Sequence, residues 1–296
     1  MSILVVGNAV VDIAYRIRRL PRPGETLLAS GRTMDVGGKG LNQAVAARRA
    51  GAVVRFVAAV GRDQSARRIR DVLAREGLDP ALLVVVDAPT DESMIWVAED
   101  GENAIVSTAA AAQRLRPADV AAAGDLGSAD TLLMQGNLPL ETITRCLEAA
   151  RGSGARIVVN TAPWVPGAEL LVAMADVLVA NAGEAAGLSG ATAPEAAAEA
   201  LAGCGPDSVV VTLGAAGVHV LTGDSHHRLP APEVTKVDTT GAGDVLVGVL
   251  AAALDAGIDL LAATVWAIRA ASVKVTRHGT IAGFPTAAEV AALRQS

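Results

Sequence analysis

The sequence predicts an α/β fold: a doubly wound, mostly parallel sheet flanked by helices, with a small β-sheet lid. Three observations carry this. Short, wholly apolar runs alternate with helical patterns along most of the chain. Each such run reads as a strand covered on both faces, and strand–helix alternation implies parallel βαβ units. Two segments break the rhythm with period-two alternation, which suggests either a small separate sheet that could serve as a lid or an ordinary edge decoration. No linker, internal repeat or low-complexity tract divides the 296 residues. We therefore read 1–296 as a single domain, a size that parallel α/β folds reach, with the lid at about 14–36 and 93–108.

Taken in order, ILVVG (3–7) and VVRFVAAVG (53–61) are buried strands. DQSARRIRDVLAREG (63–77) is an amphipathic helix, with Asp63 as N-cap and Gly77 as C-terminal stop. TLLMQG (131–136), RIVVN (156–160), VLVAN (177–181) and SVVVTLG (208–214) are further strands, and a helix runs from Pro139 to about Arg151. VLVGVLAAALDAG, from Val245 onward, reads as a buried helix. In the lid, AYRIRRL and TLLASGRTMDVGG alternate at period two within 14–38. SMIWVAEDGENAIVST (93–108) reads as a hairpin turning at Asp100 and Gly101.

Composition narrows the function classes. The net charge of −6 argues against nucleic acid or an anionic membrane as main partner, since both demand a positive field. RRIR, Arg67 to Arg70, reads as a solvated helix face. Cys146 and Cys204 lie far apart without metal-type spacing, so neither a disulfide framework nor a zinc site is expected. That usage fits a reducing cytoplasm. The stretch MSILVVGNAVVD is expected to be a first strand and not a signal peptide. The longest apolar runs, such as Val245 to Leu254, reach about half a membrane span.

Ligands of open α/β sheets sit outside the carboxyl ends of the strands. Polar residues collect there: Gly7 and Asn8, then Asp12; Gly136 and Asn137; Asn160; Asn181; Thr212 and Gly214. A lone asparagine at a strand end is usually a turn residue, but several on one rim suggest a shared cleft. DVGGKGLNQAVAARRAG (35–51) sets glycines before a helix, which lets the backbone approach a ligand. It has neither the spacing of a Walker A loop nor that of a dinucleotide fingerprint. Of the 25 basic residues only Lys39, Lys236 and Lys274 are lysines, so Lys39 reads as a compact donor or a solvated charge. In VDTTGAGD (237–244) the glycines free consecutive N–H groups to converge at a helix N-terminus, a natural anion site. Asp244 either caps that helix or accepts a proton from a hydroxyl nucleophile.

With these residues in view, the chain resembles the ribokinase-like (PfkB) family of carbohydrate kinases, closest in motif to its ribokinase members. GGKGLNQAVAARRAG is similar to the family's N-terminal signature and DTTGAGD to its C-terminal one. PGET, NTAP, NAGE and TLGAAGV match lesser landmarks. The resemblance implies an ATP-dependent kinase acting on a sugar hydroxyl, ribose first, with a nucleoside or a keto- or modified sugar as alternatives and a non-catalytic sensor behind them. It implies Asp244 as base, and Gly241, Ala242 and Gly243 as anion hole. Asp12, Gly38, Lys39 and Asn42 would hold the sugar. Asn181 and Glu184 would organise magnesium and phosphate. Thr212, Gly214 and Gly217 would line the nucleotide site. Asp238, the carbonyl of Thr240, and carbonyls from Lys274, Arg277 and Gly279 would surround a monovalent cation, potassium by expectation. The lid would pair subunits into a homodimer.

The match has departures. Val10 and Val11 precede Asp12 where ribokinases have Asn-Ala, and Asn137 stands in place of a glutamate. Gly283 replaces a serine near the cation site, and Ile268 replaces a residue commonly polar near the adenine position. A site built on hydroxyl pairing discriminates by the partners it offers. These changes therefore bear on the substrate and leave the chemistry intact.

Overall fold

A computed structural model of the protein describes residues 1–100, 102–123, 131–163 and 169–294. The chain opens with β1 (Ile3–Val6), then β2 (Val10–Ile17) and β3 (Gly31–Gly37), and enters α1 (Lys39–Arg49). Then come β4 (Val54–Val60), α2 (Gln64–Arg75), β5 (Leu83–Val85), β6 (Glu92–Ala98), β7 (Asn103–Ser107), α3 (Pro117–Ala123) and β8 (Thr131–Gln135). The middle third holds α4 (Leu140–Ser153), β9 (Arg156–Asn160), α5 (Glu169–Met174), β10 (Val177–Asn181), α6 (Ala182–Ser189) and α7 (Pro194–Ala202). The remainder is β11 (Ser208–Thr212), β12 (Val218–Thr222), β13 (Ser225–Leu229), α8 (Ala242–Asp255), α9 (Leu260–Val275) and α10 (Ala287–Leu293).

Among the described residues the main sheet runs β13-β12-β11-β10-β9-β8-β1-β4-β5. It is parallel from β11 to β5, and β12 and β13 are antiparallel at one edge. Continuous apolar strands make sense here because successive side chains feed opposite cores. Ile3 and Val5 join a cluster with Leu41 of α1, Ile69 of α2, Leu250 of α8 and Trp266 of α9. Leu4 and Val6 join another with Ile143 of α4, Leu171 of α5 and Leu201 of α7. Truncating one of these fully buried leucines to alanine costs about 2–5 kcal/mol in comparable cores.

The helix from Asp63 forms as its sequence predicts. The Asp63 carboxylate accepts the Ala66 N–H at 2.8 Å and also ties down Thr90 N at 2.7 Å. The helix expected from Pro139 runs from Leu140 to Ser153.

The lid is a separate four-stranded sheet, β3-β2-β6-β7. It differs from the expected bounds in two ways. Strand β2 begins at Val10, and residues 18–30 contribute no strand. Its central pair, β2 with β6, is parallel, because the chain crosses through the main sheet between them. The expected turn at Asp100 and Gly101 is described only in part, Gly101 lying outside the described residues. The edge hairpin β12–β13 is an addition. Its strands pair Thr222 with Ser225 across a two-residue turn that holds Gly223 at φ +55°.

Candidate active site

Strand β1 lies between β4 and β8, so the strand order reverses beside it. A crevice opens at such a switch point, past the carboxyl ends of the strands. Two helices begin over it. The residues preceding α1 and α8 are Gly38 (φ 98°) and Gly241 (φ 79°), and neither helix has a side-chain cap. In α1 the Gly40 and Leu41 N–H groups are already taken, by Asn8 Oδ1 at 3.3 Å and Asn8 O at 3.0 Å, whereas in α8 the first-turn N–H of Gly243 has no partner among the described residues and sits at the positive end of the helix dipole. The two helices also cross closely. A Cβ on Gly248 would lie 2.6 Å from Ala46 Cβ and 2.9 Å from Ala47 N. That proximity lets side chains of α1 reach the head of α8.

Asp244 sits on the first turn of α8 and is only 7% exposed. Asn42 Nδ2 donates to its Oδ2 at 2.9 Å, and Gln43 Nε2 donates to its Oδ1 at 3.1 Å. Gln43 is the hub. Its amide nitrogen also donates to Asn160 Oδ1 at 3.1 Å, and its Oε1 accepts from Gln135 Nε2 at 2.7 Å. The sequence reading missed Gln43 and Gln135. Only the position of Gln43 beside Asn42 in GLNQ, and of Gln135 at the end of β8, could have drawn notice. Buried acceptors stay unpaired here: Asn42 Oδ1, Gln135 Oε1 and Asn137 Oδ1. Buried polar atoms are normally satisfied, so such a set calls for a donor from outside.

Asp244 is not the N-cap, since Gly241 holds that position. Of the three N–H groups expected in the anion hole, that of Ala242 is already engaged, closing a turn on Thr239 O at 3.1 Å. Those of Gly241 and Gly243 have no hydrogen-bond partner among the described residues.

Asp12 lies on β2, folded over Gly37 so that a side chain there would collide with its Oδ2. This sets the lid's carboxylate against Gly37, the residue before Gly38. Burial pushes the Asp12 carboxyl up to about 6; a bond from Ser93 opposes this, and the charges of Asp35 and Asp244 add to it. Lys39 is half-buried and makes no hydrogen bond or ion pair among the described residues. Asn137 follows β8, and no hydrogen bond links it to Asp244.

Farther along the rim, Asn181 caps α6 in a reciprocal box. Its Oδ1 accepts Glu184 N at 2.8 Å while Glu184 Oε2 accepts Asn181 N at 3.0 Å. Thr161 Oγ1 donates to the same Oε2 at 3.1 Å, which leaves Glu184 Oε1 without a partner among the described residues. Among the described residues no three or more His, Cys, Asp or Glu side chains converge as a metal cage. Magnesium needs none, because it binds through one or two carboxylates with phosphate oxygens and retained waters. Glu184 Oε1 fits that mode. Thr212 ends β11, and Gly214 (φ +60°) and Gly217 (φ +91°) shape the turn into β12.

The monovalent cation expected beside Asp238 does not fit the residues present. Lys274 fills the place with its own ammonium, which donates to Asp238 O at 2.8 Å and Arg277 O at 3.1 Å. It also lies 3.6 Å from Asp238 Oδ2. The Asp238 carboxylate is otherwise occupied by Thr240 N at 2.8 Å and Gly279 N at 2.9 Å. Burial works to raise the Asp238 carboxyl, but these N–H bonds and the Lys274 charge outweigh it and hold the group below its usual range. Burial pulls Lys274 below its ordinary value, with Asp238 opposing.

Comparison with known proteins agrees with this fold. The profile of the pfkB family carbohydrate kinases matches residues 1–287. A ribokinase of Haemophilus influenzae is 31% identical over 295 residues, covering 97% of this chain and 96% of that protein. A deoxyribokinase of Salmonella typhi is 31% identical over 294 residues, covering 97% and 96%. The structure of Arabidopsis thaliana ribokinase complexed with ribose and ATP superposes with a TM-score of 0.90 at 27% identity, covering 100% of this chain and 99% of that one. With the family profile spanning nearly the whole sequence, the fold shared and both signature motifs meeting at one crevice, the chain belongs to the pfkB family of carbohydrate kinases.

Proposed function

We propose that the chain phosphorylates ribose, passing the γ-phosphoryl group of ATP to a sugar hydroxyl with Asp244 as general base. One observation carries this: a buried carboxylate at the head of α8, held by donors on both oxygens and flanked by the unpartnered N–H groups of Gly241 and Gly243. Asn42 and Gln43 fix the Asp244 carboxylate so that a remaining lone pair meets the attacking hydroxyl. Gly241 and Gly243 stabilise the charge that develops on the transferred group, where preorganised donors count most.

Asp12, with Gly38, Lys39 and Asn42, holds the sugar hydroxyls, and the orphaned Asn42 Oδ1 accepts one of them. Asn137 contributes a further acceptor. Thr212, Gly214 and Gly217 line the nucleotide site. Asn181 and Glu184 would hold magnesium, which would supply positive charge to neutralise the phosphates. The lid closes the crevice and pairs two subunits; Ile105 and Val106 stand 55% and 61% exposed on its edge strand, which supports such a contact. The net charge and the reduced cysteines favour a cytoplasmic enzyme, and among the described residues no helix is long and apolar enough to cross a membrane.

An ADP-release screen of the purified protein across pentoses, deoxypentoses, hexoses and nucleosides tests the substrate, with ribose expected to give the highest kcat/KM. A nucleoside or another sugar in first place would overturn ribose. Val10 and Asn137 favour that second reading, since Val10 removes an amide and Asn137 replaces a carboxylate that ribokinases offer. Ligand binding without ADP release across the whole panel would instead make the protein a sensor.

A further inference from the structure

Lys274 stands at the end of α9 with a side chain that is 0% exposed. Its ammonium ties together the Asp238 stretch leading into α8, the last turn of α9 and the turn at Arg277. An unpaired buried cation would be very costly, and this one is fully engaged by one carboxylate and two main-chain carbonyls. Of these, the Asp238 carboxylate and the Arg277 carbonyl are groups that the family resemblance assigns to a monovalent ion. The carbonyl of Lys274 is also taken, accepting Arg277 N at 3.0 Å. Gly283 supplies no side-chain oxygen, and a Cβ there would approach His278 O to 2.7 Å, so no hydroxyl could be added without movement. The choice of residue fits as well. In a chain with three lysines among 25 basic residues, one occupies this spot, where a compact ammonium matches a carbonyl-lined hole and a planar guanidinium does not.

We propose that Lys274 Nζ is a built-in substitute for the monovalent cation, which makes this kinase independent of potassium. The inference rests on the kinase reading above. Lys274 is a positioning residue: it touches no substrate and acts through Asp238, three positions before Gly241, by fixing the loop that presents the anion-hole N–H groups.

The test compares the wild type, Lys274→Ala and Lys274→Met in potassium, sodium, caesium and tetramethylammonium chloride at fixed ionic strength, reading both turnover and melting temperature. Wild-type turnover and melting temperature are expected to be the same in all four salts. Lys274→Ala should lose roughly 10- to 100-fold in kcat, the size expected for a lost set of charged hydrogen bonds. It should regain a large part of that in potassium alone, with a higher melting temperature there. Lys274→Met, which keeps the stem and fills the hole, should not be rescued. Selective potassium activation or stabilisation of the wild type would overturn the proposal, and so would loss in Lys274→Ala that no ion restores. Should Lys274→Ala fail to fold, the wild-type salt series decides alone. Should the wild type phosphorylate no sugar, the kinase reading fails, and the melting series still decides the cation claim.

Discussion

Replacing Asp12 by asparagine should stabilise the fold at neutral pH while weakening the sugar site. Burial raises the Asp12 carboxyl from 3.8 to about 6. In the unfolded chain it returns to its ordinary value. The folded protein thus binds this proton more tightly, and stability declines as pH rises from the ordinary value through about 6. Above that window the buried charge costs up to about 3 kcal/mol, at 1.36 kcal/mol per pKa unit. Asp12 is half-buried, and solvent screening reduces the realised figure to about 1–2 kcal/mol. Asparagine keeps an acceptor for Ser93 and carries no charge. For a chain of this size 1 kcal/mol corresponds to about 2 °C, so the variant should melt about 2–4 °C higher near pH ~8. The gain should shrink as pH falls and vanish near pH ~3, below the ordinary value, where Asp12 is neutral both folded and unfolded. The same variant should raise the sugar KM roughly 10- to 100-fold through loss of a charged hydrogen-bond acceptor. Melting curves across this range, paired with initial rates, measure both. A lower melting temperature near pH ~8, or a gain that does not change with pH, would refute the burial argument.

Two further substitutions probe the frame around the site. Gln43→Leu strips a donor from Asp244 and leaves Gln135 and Asn160 without their partner. It should cost about 1–3 kcal/mol in urea unfolding and roughly tenfold in kcat, and an unchanged kcat would remove Gln43 from the machinery. Gly217→Ala places a Cβ against Leu229 O and Ala231 N at φ +91°. It should cost about 2–4 kcal/mol and raise the ATP KM, and a urea midpoint at the wild-type value would show that the turn is not strained.

Much of this was legible because the relevant signals are local. Wholly apolar strands announce two covered faces, and the two cores separated by alternate residues of β1 bear that out. The glycines before α1 and α8 mark, in the sequence itself, two helix starts whose N-cap residue carries no capping side chain. Gln43 escaped notice because a glutamine on a helix reads as solvated, and Gln135 because it closes an otherwise apolar strand. Only the close crossing of α1 and α8 at Gly248 turns Gln43 inward, onto a partner 92 residues away. Lys274 was read for its carbonyl because its side chain reaches Asp238 only after α9 folds back across 36 positions. The hairpin β12–β13 was hidden by histidines in both strands, and β5 by its length of three residues.

The central claim is that Asp244 removes the proton from the attacking hydroxyl. The most direct measurement is the turnover of Asp244→Asn with saturating ribose and ATP, read as ADP release, beside a melting curve that certifies the fold. A general base contributes on the order of 10²-fold or more. Asp244→Asn should lose at least that much in kcat, with sugar and nucleotide binding retained. Turnover within a few-fold of the wild type, on a folded protein, would contradict it.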